Sequence, residues 1–160
     1  MRSPAELTSM FRSNGMKITS QRQLLFRLLH HTAEHPSAEA LYAQAAAEMP
    51  GISLRTVYQT LSDLVEMGEL HQIHFDNGPA RFDPNVSEHH HLVCDRCGDV
   101  SDVYATGTDQ LHLEGLQGFQ VSSTEIVFRG TCASCTSNPS RSGSVTPATS
   151  THHQHEGTPS

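Results

Sequence analysis

Several features that define common protein classes are missing from this 160-residue sequence. No apolar run approaches the length needed to span a bilayer, and the N-terminal segment lacks the apolar core and small-residue cleavage site of a secretory signal. We therefore expect a cytoplasmic protein without a membrane partner. The HxE…PCxxC pattern of deaminases, the HExxH pattern of zinc peptidases and the usual nucleophile signatures are also missing. We accordingly predict that the chain is not an enzyme and has no small-molecule substrate.

Basic residues are too few for a generic nucleic-acid binder, because the net charge is −7. The charges are unevenly placed. Residues 1–84 hold 7 basic and 9 acidic residues, a net charge of −2, whereas residues 85–160 hold 3 and 8, a net charge of −5. Acidic residues are missing between Leu7 and Ala33, a segment that contains Arg12, Lys17, Arg22 and Arg27. This basic segment is typical of a surface that meets phosphates.

The four cysteines form two pairs, Cys94-Asp-Arg-Cys97 and Cys132-Ala-Ser-Cys135. Two such pairs can supply the four thiolates of a closed, tetrahedral Zn²⁺ site. In a reducing compartment this spacing favours metal over disulfide bonds, so we predict a structural zinc site. Two disulfide bonds and thiol redox chemistry are the alternatives.

Residues 1–84 have the pattern of a winged helix-turn-helix domain. Preferred N-cap residues indicate four helix starts, at Ser3, Thr19, Ser37 and Ser53. The fourth helix, Leu54–Met67, has an apolar stripe that includes Leu54 and an opposite polar face that includes Asp63. Strands are predicted at Glu69–Phe75 and Ala80–Asp83, joined by the turn signal Asp76-Asn77-Gly78.

Residues 85–136 are predicted to form a second, smaller unit. Its expected strands lie at about His90–Val93, Val100–Tyr104 and Val121–Phe128, with a helix at about Thr108–Leu116. A unit of this size buries little core, and zinc binding and dimerisation are common remedies. We therefore predict a small α/β dimerisation domain with a four-cysteine zinc site, which makes the whole fold α+β. Residues 137–160, rich in Ser, Thr, Pro and His, are predicted to be a disordered tail.

The fourth helix is the candidate for reading DNA. In the major groove it would turn Arg55, Thr56, Tyr58 and Gln59 toward the bases. Arg and Gln can each make two hydrogen bonds to a base edge, and Thr or Tyr can contact a thymine methyl group. A polar helix face that is merely solvated is the alternative. The basic segment favours double-stranded DNA, which an acidic chain would bind specifically as a homodimer on two palindromic half-sites.

Three motifs resemble the ferric uptake regulator (Fur) family and follow its order: GMKITSQR at residues 15–22, ISLRTVYQTL at 52–61 and EHHHLVCDRCG at 88–98. The resemblance runs from about residue 5 to residue 135. It implies a dimeric, metal-dependent transcription repressor whose DNA contacts include Lys17, Tyr58 and Gln59. The family commonly has Arg at the position of Gln59.

A second metal site is indicated beside the first cysteine pair. His89 and His91 alternate along a predicted strand and therefore point to the same side. With His35, Asp83 and Asp102 they would form a five-ligand site of nitrogen and oxygen donors, which suits Fe²⁺ or Mn²⁺. Taken alone, His35 is more typical of a surface or cap residue. The resemblance implies the ligand role, because all five positions match the regulatory site of the peroxide-sensing branch. At position 83 that branch has Asp, whereas iron-uptake regulators usually have Glu.

An accessory metal site of the family is matched in part by Glu88, His90 and Asp109. Thr124 stands where that site would use a histidine, so the match is incomplete.

The resemblance implies a repressor that senses peroxide through Fe²⁺-catalysed oxidation of ligand histidines and controls oxidative-stress genes. His35 and His89 are the candidates for oxidation. The alternative is an iron-responsive repressor of iron-uptake genes. A metalloenzyme, or a metal buffer that does not bind DNA, is a less favoured alternative.

Overall fold

The computed structural model describes residues 1–138, apart from residues 33, 76–77, 108–111 and 123. Its elements in chain order are α1 (Pro4–Ser13), α2 (Ser20–His31), α3 (Ala38–Glu48), α4 (Leu54–Glu66), β1 (His71–Ile73), β2 (Arg81–Asp83), β3 (His90–Cys94), β4 (Val100–Val103), β5 (Val127–Gly130) and α5 (Ala133–Ser137). Four helices and a two-stranded hairpin precede a three-stranded sheet and a short helix. The α+β fold predicted from the sequence is confirmed.

The first four helices begin where their N-cap residues predict. The side-chain oxygens of Ser3, Thr19, Ser37 and Ser53 each accept a hydrogen bond from the backbone N–H three residues later. Glu6 completes a capping box by accepting from the Ser3 N–H at 2.9 Å. Gly68 follows the end of α4 with a φ of 70°, a conformation that glycine adopts without a Cβ clash. Local capping therefore sets the limits of these helices.

The hydrophobic core lies among α1–α4 and the hairpin. Phe11, Phe26 and Leu61 are buried there, and the two aromatic rings pack edge to face with centroids 4.8 Å apart. Phe82 of β2 belongs to the same cluster, and its N–H donates to the carbonyl of Pro36 at 3.0 Å. The hairpin is therefore fixed to the helices, which places the end of β2 next to the segment between α2 and α3.

Two predictions about α4 are wrong. Asp63, expected on the exposed polar face, is 9% exposed, and its carboxylate pairs with the Arg22 guanidinium of α2 at 2.5 Å. Leu54, expected in the apolar stripe, is 37% exposed. Helical periodicity identifies the buried side of a helix, but a carboxylate can lie on that side when another helix supplies a cation.

The strands form two separate sheets. The hairpin strands β1 and β2 are antiparallel and shorter than predicted, and residues 76–77 of the predicted turn lie outside the described residues. In the second sheet the order is β4-β3-β5, with β3 antiparallel to β4 and parallel to β5. His91 of β3 lies opposite Asp102 of β4. Strand pairing therefore brings two predicted ligands side by side.

The helix predicted at Thr108–Leu116 is not formed in its described part, residues 112–116. Gly115 and Gln117 have φ values of 78° and 45°, outside the right-handed helical region. Leu113 and Phe119 are 54% and 73% exposed. A short helix gains most of its stability from packing an apolar face, and within the described residues these side chains have no such packing.

The last strand and the tail also differ from expectation. β5 begins at Val127 instead of Val121. The predicted tail is described through residue 138, and its remaining residues lie outside the described part. Among the described residues, the helices are too short and too polar to cross a bilayer.

Replacing a buried core leucine should cost far more stability than replacing an exposed leucine of the same helix. Leu61 is 1% exposed and Leu54 is 37% exposed. Leu61→Ala should lower the free energy of unfolding by about 2–5 kcal/mol, because a cavity adds to the lost burial. Urea unfolding followed by helical circular dichroism measures both changes. A loss for Leu54→Ala as large as that for Leu61→Ala would contradict the described packing of α4.

Candidate metal centres

The four cysteines converge where β3 ends and α5 begins. Cys94 ends β3, Cys97 lies in the following turn, Cys132 is the N-cap of α5, and Cys135 lies within it. Their sulfurs lie within 4.8 Å of one another, and Cys97 Sγ is 3.7 Å from Cys132 Sγ. Tetrahedral Zn–S bonds of about 2.3 Å place neighbouring sulfurs about 3.8 Å apart. Among the described residues the four cysteines form no disulfide bond, and the cluster has the size of a zinc site, as the sequence predicts.

Hydrogen bonding and burial give these thiols different acidities. The backbone N–H groups of Cys132 and Cys97 donate to Cys94 Sγ, which lowers the pKa of Cys94 to about 6. Burial raises the pKa of Cys135 to about 12. The metal-free cluster therefore forms one thiolate readily, whereas a bound cation is needed to keep all four thiols deprotonated.

A second cluster takes one ligand atom from each of five residues on separate parts of the fold. The segment between α2 and α3 supplies His35, and β2 supplies Asp83; His89 precedes β3, which contains His91, and β4 contains Asp102. The five atoms lie within 4.8 Å of one another. His35 Nε2 is 2.9 Å from Asp102 Oδ1, and His89 Nε2 is 2.9 Å from Asp83 Oδ2. The structure thus brings together all five residues of the predicted regulatory site.

The donor set fits a divalent cation. The three imidazoles and Asp83 are buried, and the side chain of Asp102 is 24% exposed. Within the described part of the chain, His35 Nε2, Asp83 Oδ2 and Asp102 Oδ1 make no hydrogen bond of acceptable angle. Buried polar atoms without partners are costly, and one cation among them would satisfy all of them. Imidazoles and carboxylates without a thiolate are donors that Fe²⁺ and Mn²⁺ accept.

Hydrogen bonds to the far ring nitrogens orient two of the histidines. His89 Nδ1 donates to the carbonyl of Ser87 at 2.7 Å, and His91 Nδ1 donates to Glu125 Oε1 at 3.1 Å. Each bond fixes the tautomer whose unprotonated Nε2 faces the cluster. Sequence reasoning missed Glu125 as a partner because it lies 34 residues from His91, and a contact at that separation leaves no local signal.

Asn85 orients the two carboxylates and was also missed. Its side chain donates to Asp102 Oδ2 at 2.6 Å, and its backbone N–H donates to Asp83 Oδ1 at 2.7 Å. The second bond closes a turn in which the aspartate side chain accepts from the backbone N–H two residues later. The Asp-Pro-Asn run at residues 83–85 is a signal that would have identified this turn.

Burial lowers the pKa of His91, and the nearby rings of His89 and His35 lower it further. The neutral imidazole is the form that binds a metal ion. His91 therefore offers its lone pair over a wider pH range than an exposed histidine.

The predicted accessory site is described in part. Asp109 lies outside the described residues. Glu88 is exposed, whereas His90 is buried and its Nδ1 accepts a hydrogen bond from the Ile126 N–H at 3.4 Å. The accessory site stays a prediction.

The predicted DNA-contacting residues gather on one side of the first unit. One cleft between α2 and α4 is lined by Lys17, Arg22, Arg55, Thr56 and Gln59. Tyr58 is 44% exposed on α4, and its hydroxyl donates to Glu39 at 2.5 Å. That bond lowers the pKa of Glu39 and raises the pKa of Tyr58. The placement suits a shared surface, and the DNA contacts themselves stay a prediction.

The chain resembles known proteins in sequence and in fold. The sequence model of the ferric uptake regulator family matches residues 13–129. The chain is 29% identical over 132 residues to the "Peroxide operon regulator" of Bacillus subtilis, covering 81% of this chain and 91% of the relative. It is 28% identical over 132 residues to the "Peroxide-responsive repressor PerR" of Staphylococcus epidermidis, covering 81% and 88%.

A solved structure shares the fold. The ferric uptake regulator Fur of Helicobacter pylori superposes with a TM-score of 0.70 at 19% identity, covering 82% of this chain and 90% of that chain. At this identity the likeness concerns the fold alone. With the family model spanning most of the described residues, the chain belongs to the ferric uptake regulator family of metal-dependent transcription regulators.

Proposed function

We propose that this chain is a dimeric, metal-dependent DNA-binding repressor that is inactivated when peroxide oxidises a ligand histidine. It would thereby control oxidative-stress genes. The observation that carries the proposal is the five-donor cluster, whose atoms lie within 4.8 Å of one another. Asp83 favours peroxide sensing, because the resemblance implies Glu at that position in iron-uptake regulators. The names of both relatives given above support the same branch.

The cysteine cluster has a structural role in this proposal. Zn²⁺ on the four cysteines would tie the end of β3 to α5 and so hold together a unit, residues 85–136, with little core of its own. Large apolar side chains of this unit are exposed, among them Leu92, Tyr104, Phe119 and Phe128. A second copy of the chain would cover them, which supports the homodimer.

The five-donor cluster would couple metal binding to the arrangement of the two units. His35 and Asp83 belong to residues 1–84, whereas the other three ligands belong to residues 85–136. A cation that needs all five donors favours the one arrangement in which they meet. In that arrangement the α4 helices of a dimer would be spaced for successive major grooves of a palindromic operator.

In this proposal the buried ligand histidines make the protein sensitive to peroxide, and their oxidation causes the release of DNA. Bound Fe²⁺ would supply the electrons that break the peroxide O–O bond, whereas Mn²⁺ would support DNA binding without oxidation. His35 and His89 are 4% and 8% exposed, so their rings are held among the ligands and are shielded from bulk solvent. A ring that gains an oxygen atom no longer offers the same Nε2 donor. The preferred arrangement of the units is then lost, and the DNA is released.

Intact-protein mass spectrometry after peroxide treatment tests the sensing step. The Fe²⁺-loaded protein should gain the mass of one oxygen atom on a peptide containing His35 or His89, whereas the Mn²⁺-loaded protein should not. Peptide mapping locates the oxygen atom. If the iron form binds DNA and stays unmodified, peroxide sensing is wrong, and the iron-responsive repressor becomes the better proposal.

Removing the one histidine ligand that the first unit supplies should uncouple DNA binding from metal binding. His35→Ala should weaken Mn²⁺ binding by at least about tenfold and abolish metal-dependent DNA binding, because the cation would lose its hold on residues 1–84. His71→Ala is the control, since His71 is exposed on β1 outside the cluster. Calorimetric Mn²⁺ titration and DNA gel shifts provide the measurements. Equal behaviour of the two variants would contradict the coupling.

Loss of one zinc ligand should unfold the second unit before the first. Cys135→Ser should abolish stoichiometric zinc and lower the unfolding temperature of residues 85–136, because the site supplies folding energy to a small unit. Ser134→Ala changes an exposed neighbouring residue and should retain zinc. Elemental analysis and limited proteolysis follow the two effects. A Cys135→Ser protein that keeps wild-type protease resistance would count against a structural zinc.

A further inference from the structure

Asp63 of α4 binds two of the predicted DNA-contacting side chains at once. Its Oδ2 accepts from the Arg22 guanidinium at 2.5 Å, and its Oδ1 accepts from Gln59 Nε2 at 2.8 Å. The side chain of Asp63 is 11% exposed, whereas Gln59 is exposed on the side of α4 that also carries Arg55. A nearly buried carboxylate thus lies directly behind a residue expected to face DNA bases.

Arg22 neutralises this carboxylate and does not reach far into solvent. Its guanidinium lies 5.1 Å from the centroid of the Phe11 ring, and its side chain is 16% exposed. Arg22 therefore serves to hold the Asp63 carboxylate in place beneath the surface of α4. Without the Arg22 guanidinium, a carboxylate so close to DNA would repel phosphates and would be costly to bury.

The contact with Asp63 decides which way the Gln59 amide points. A carboxylate oxygen can accept a hydrogen bond but cannot donate one, so the NH2 end of the amide must face Asp63. The carbonyl Oε1 is turned away from Asp63 as a result. Nε2 has two hydrogens, and the second remains for another acceptor. The outward edge of Gln59 therefore offers one donor and one acceptor in a fixed order.

That edge matches one base in the major groove. Adenine presents an acceptor at N7 and a donor at N6, which pair with the Gln59 N–H and Oε1 respectively. Guanine presents two acceptors, N7 and O6, and one of them would face Oε1. A glutamine that did not donate one N–H to Asp63 could turn both Nε2 hydrogens toward N7 and O6 of guanine, and so would lose part of this discrimination.

We propose that Asp63 determines base specificity by holding the Gln59 amide in the orientation that reads adenine and rejects guanine. The proposal rests on the DNA-binding function proposed above. It assigns Asp63 a positioning role, since Asp63 acts through Gln59 without touching DNA itself. Where family members have Arg at the Gln59 position, no such amide orientation exists, so this device belongs to the Gln59–Asp63 pair of this chain.

Selection from a randomised duplex library, with protein loaded with Zn²⁺ and Mn²⁺, tests the proposal. The wild-type chain should enrich half-sites with adenine at one position, preferred over guanine by about tenfold or more, as expected for a bidentate contact. Asp63→Asn keeps the shape but can donate its own NH2 to Gln59 Oε1, so both amide orientations become accessible. Its preference at that position should fall below about threefold, and Gln59→Ala should lose the preference at the same position.

Glu66→Gln is the matched control. It removes one negative charge from α4 three residues beyond Asp63, at an exposed position, and should keep the adenine preference. Because the readout is relative enrichment within bound DNA, a variant that folds less well changes the yield but not the ranking of bases. The positioning role would be overturned if Asp63→Asn kept the adenine preference or if Glu66→Gln lost it to the same extent. It would also be overturned if the wild-type chain selected guanine at the base position that Gln59 contacts. A wild-type chain that enriches no sequence would instead overturn the DNA-binding function itself.

Discussion

The arrangement of this molecule depends on the need to satisfy buried polar atoms to which the described part of the chain offers no hydrogen bond. His35 Nε2, Asp83 Oδ2 and Asp102 Oδ1 face one another in a buried cluster. Bringing such atoms together costs free energy unless a cation joins them. Because they come from both parts of the chain, the cost falls on the relative position of the two units. In the proposed function this cluster is therefore both a binding site and a constraint on shape.

The surrounding hydrogen bonds limit how that constraint can be met. Ser87 and Glu125 fix the tautomers of two histidines, and Asn85 holds both carboxylates. These bonds leave the donor atoms little freedom to relax away from one another when no cation is bound. The same principle operates on α4, where Asp63 fixes the orientation of a neighbouring side chain. In both places a hydrogen bond orients a neighbouring side chain.

Local patterns predicted much of the fold and of the ligand set. N-cap residues such as Ser37 and Ser53 gave the helix starts, and alternation in the strand put His89 and His91 on one side. The patterns failed where a distant partner decides. Asp63 is buried because Arg22, 41 residues away, neutralises it. Residues 112–116 are not helical, and among the described residues their side chains Leu113 and Leu116 stay exposed instead of packing. Long-range pairing leaves no periodic trace in the sequence, so such features needed the structure.

One strand contributes to both clusters, since β3 contains His91 and ends at Cys94. Zinc on the cysteines would anchor the end of this strand, and the pairing of His91 with Asp102 would depend on the register that the anchor maintains. Metal loading should therefore be sequential, with zinc bound during folding and the second cation bound afterwards. If the proposed function is correct, a cell short of zinc would hold a regulator that responds to neither the second cation nor an oxidant, whatever their concentrations. Under that proposal the shared strand would make zinc supply a precondition for sensing.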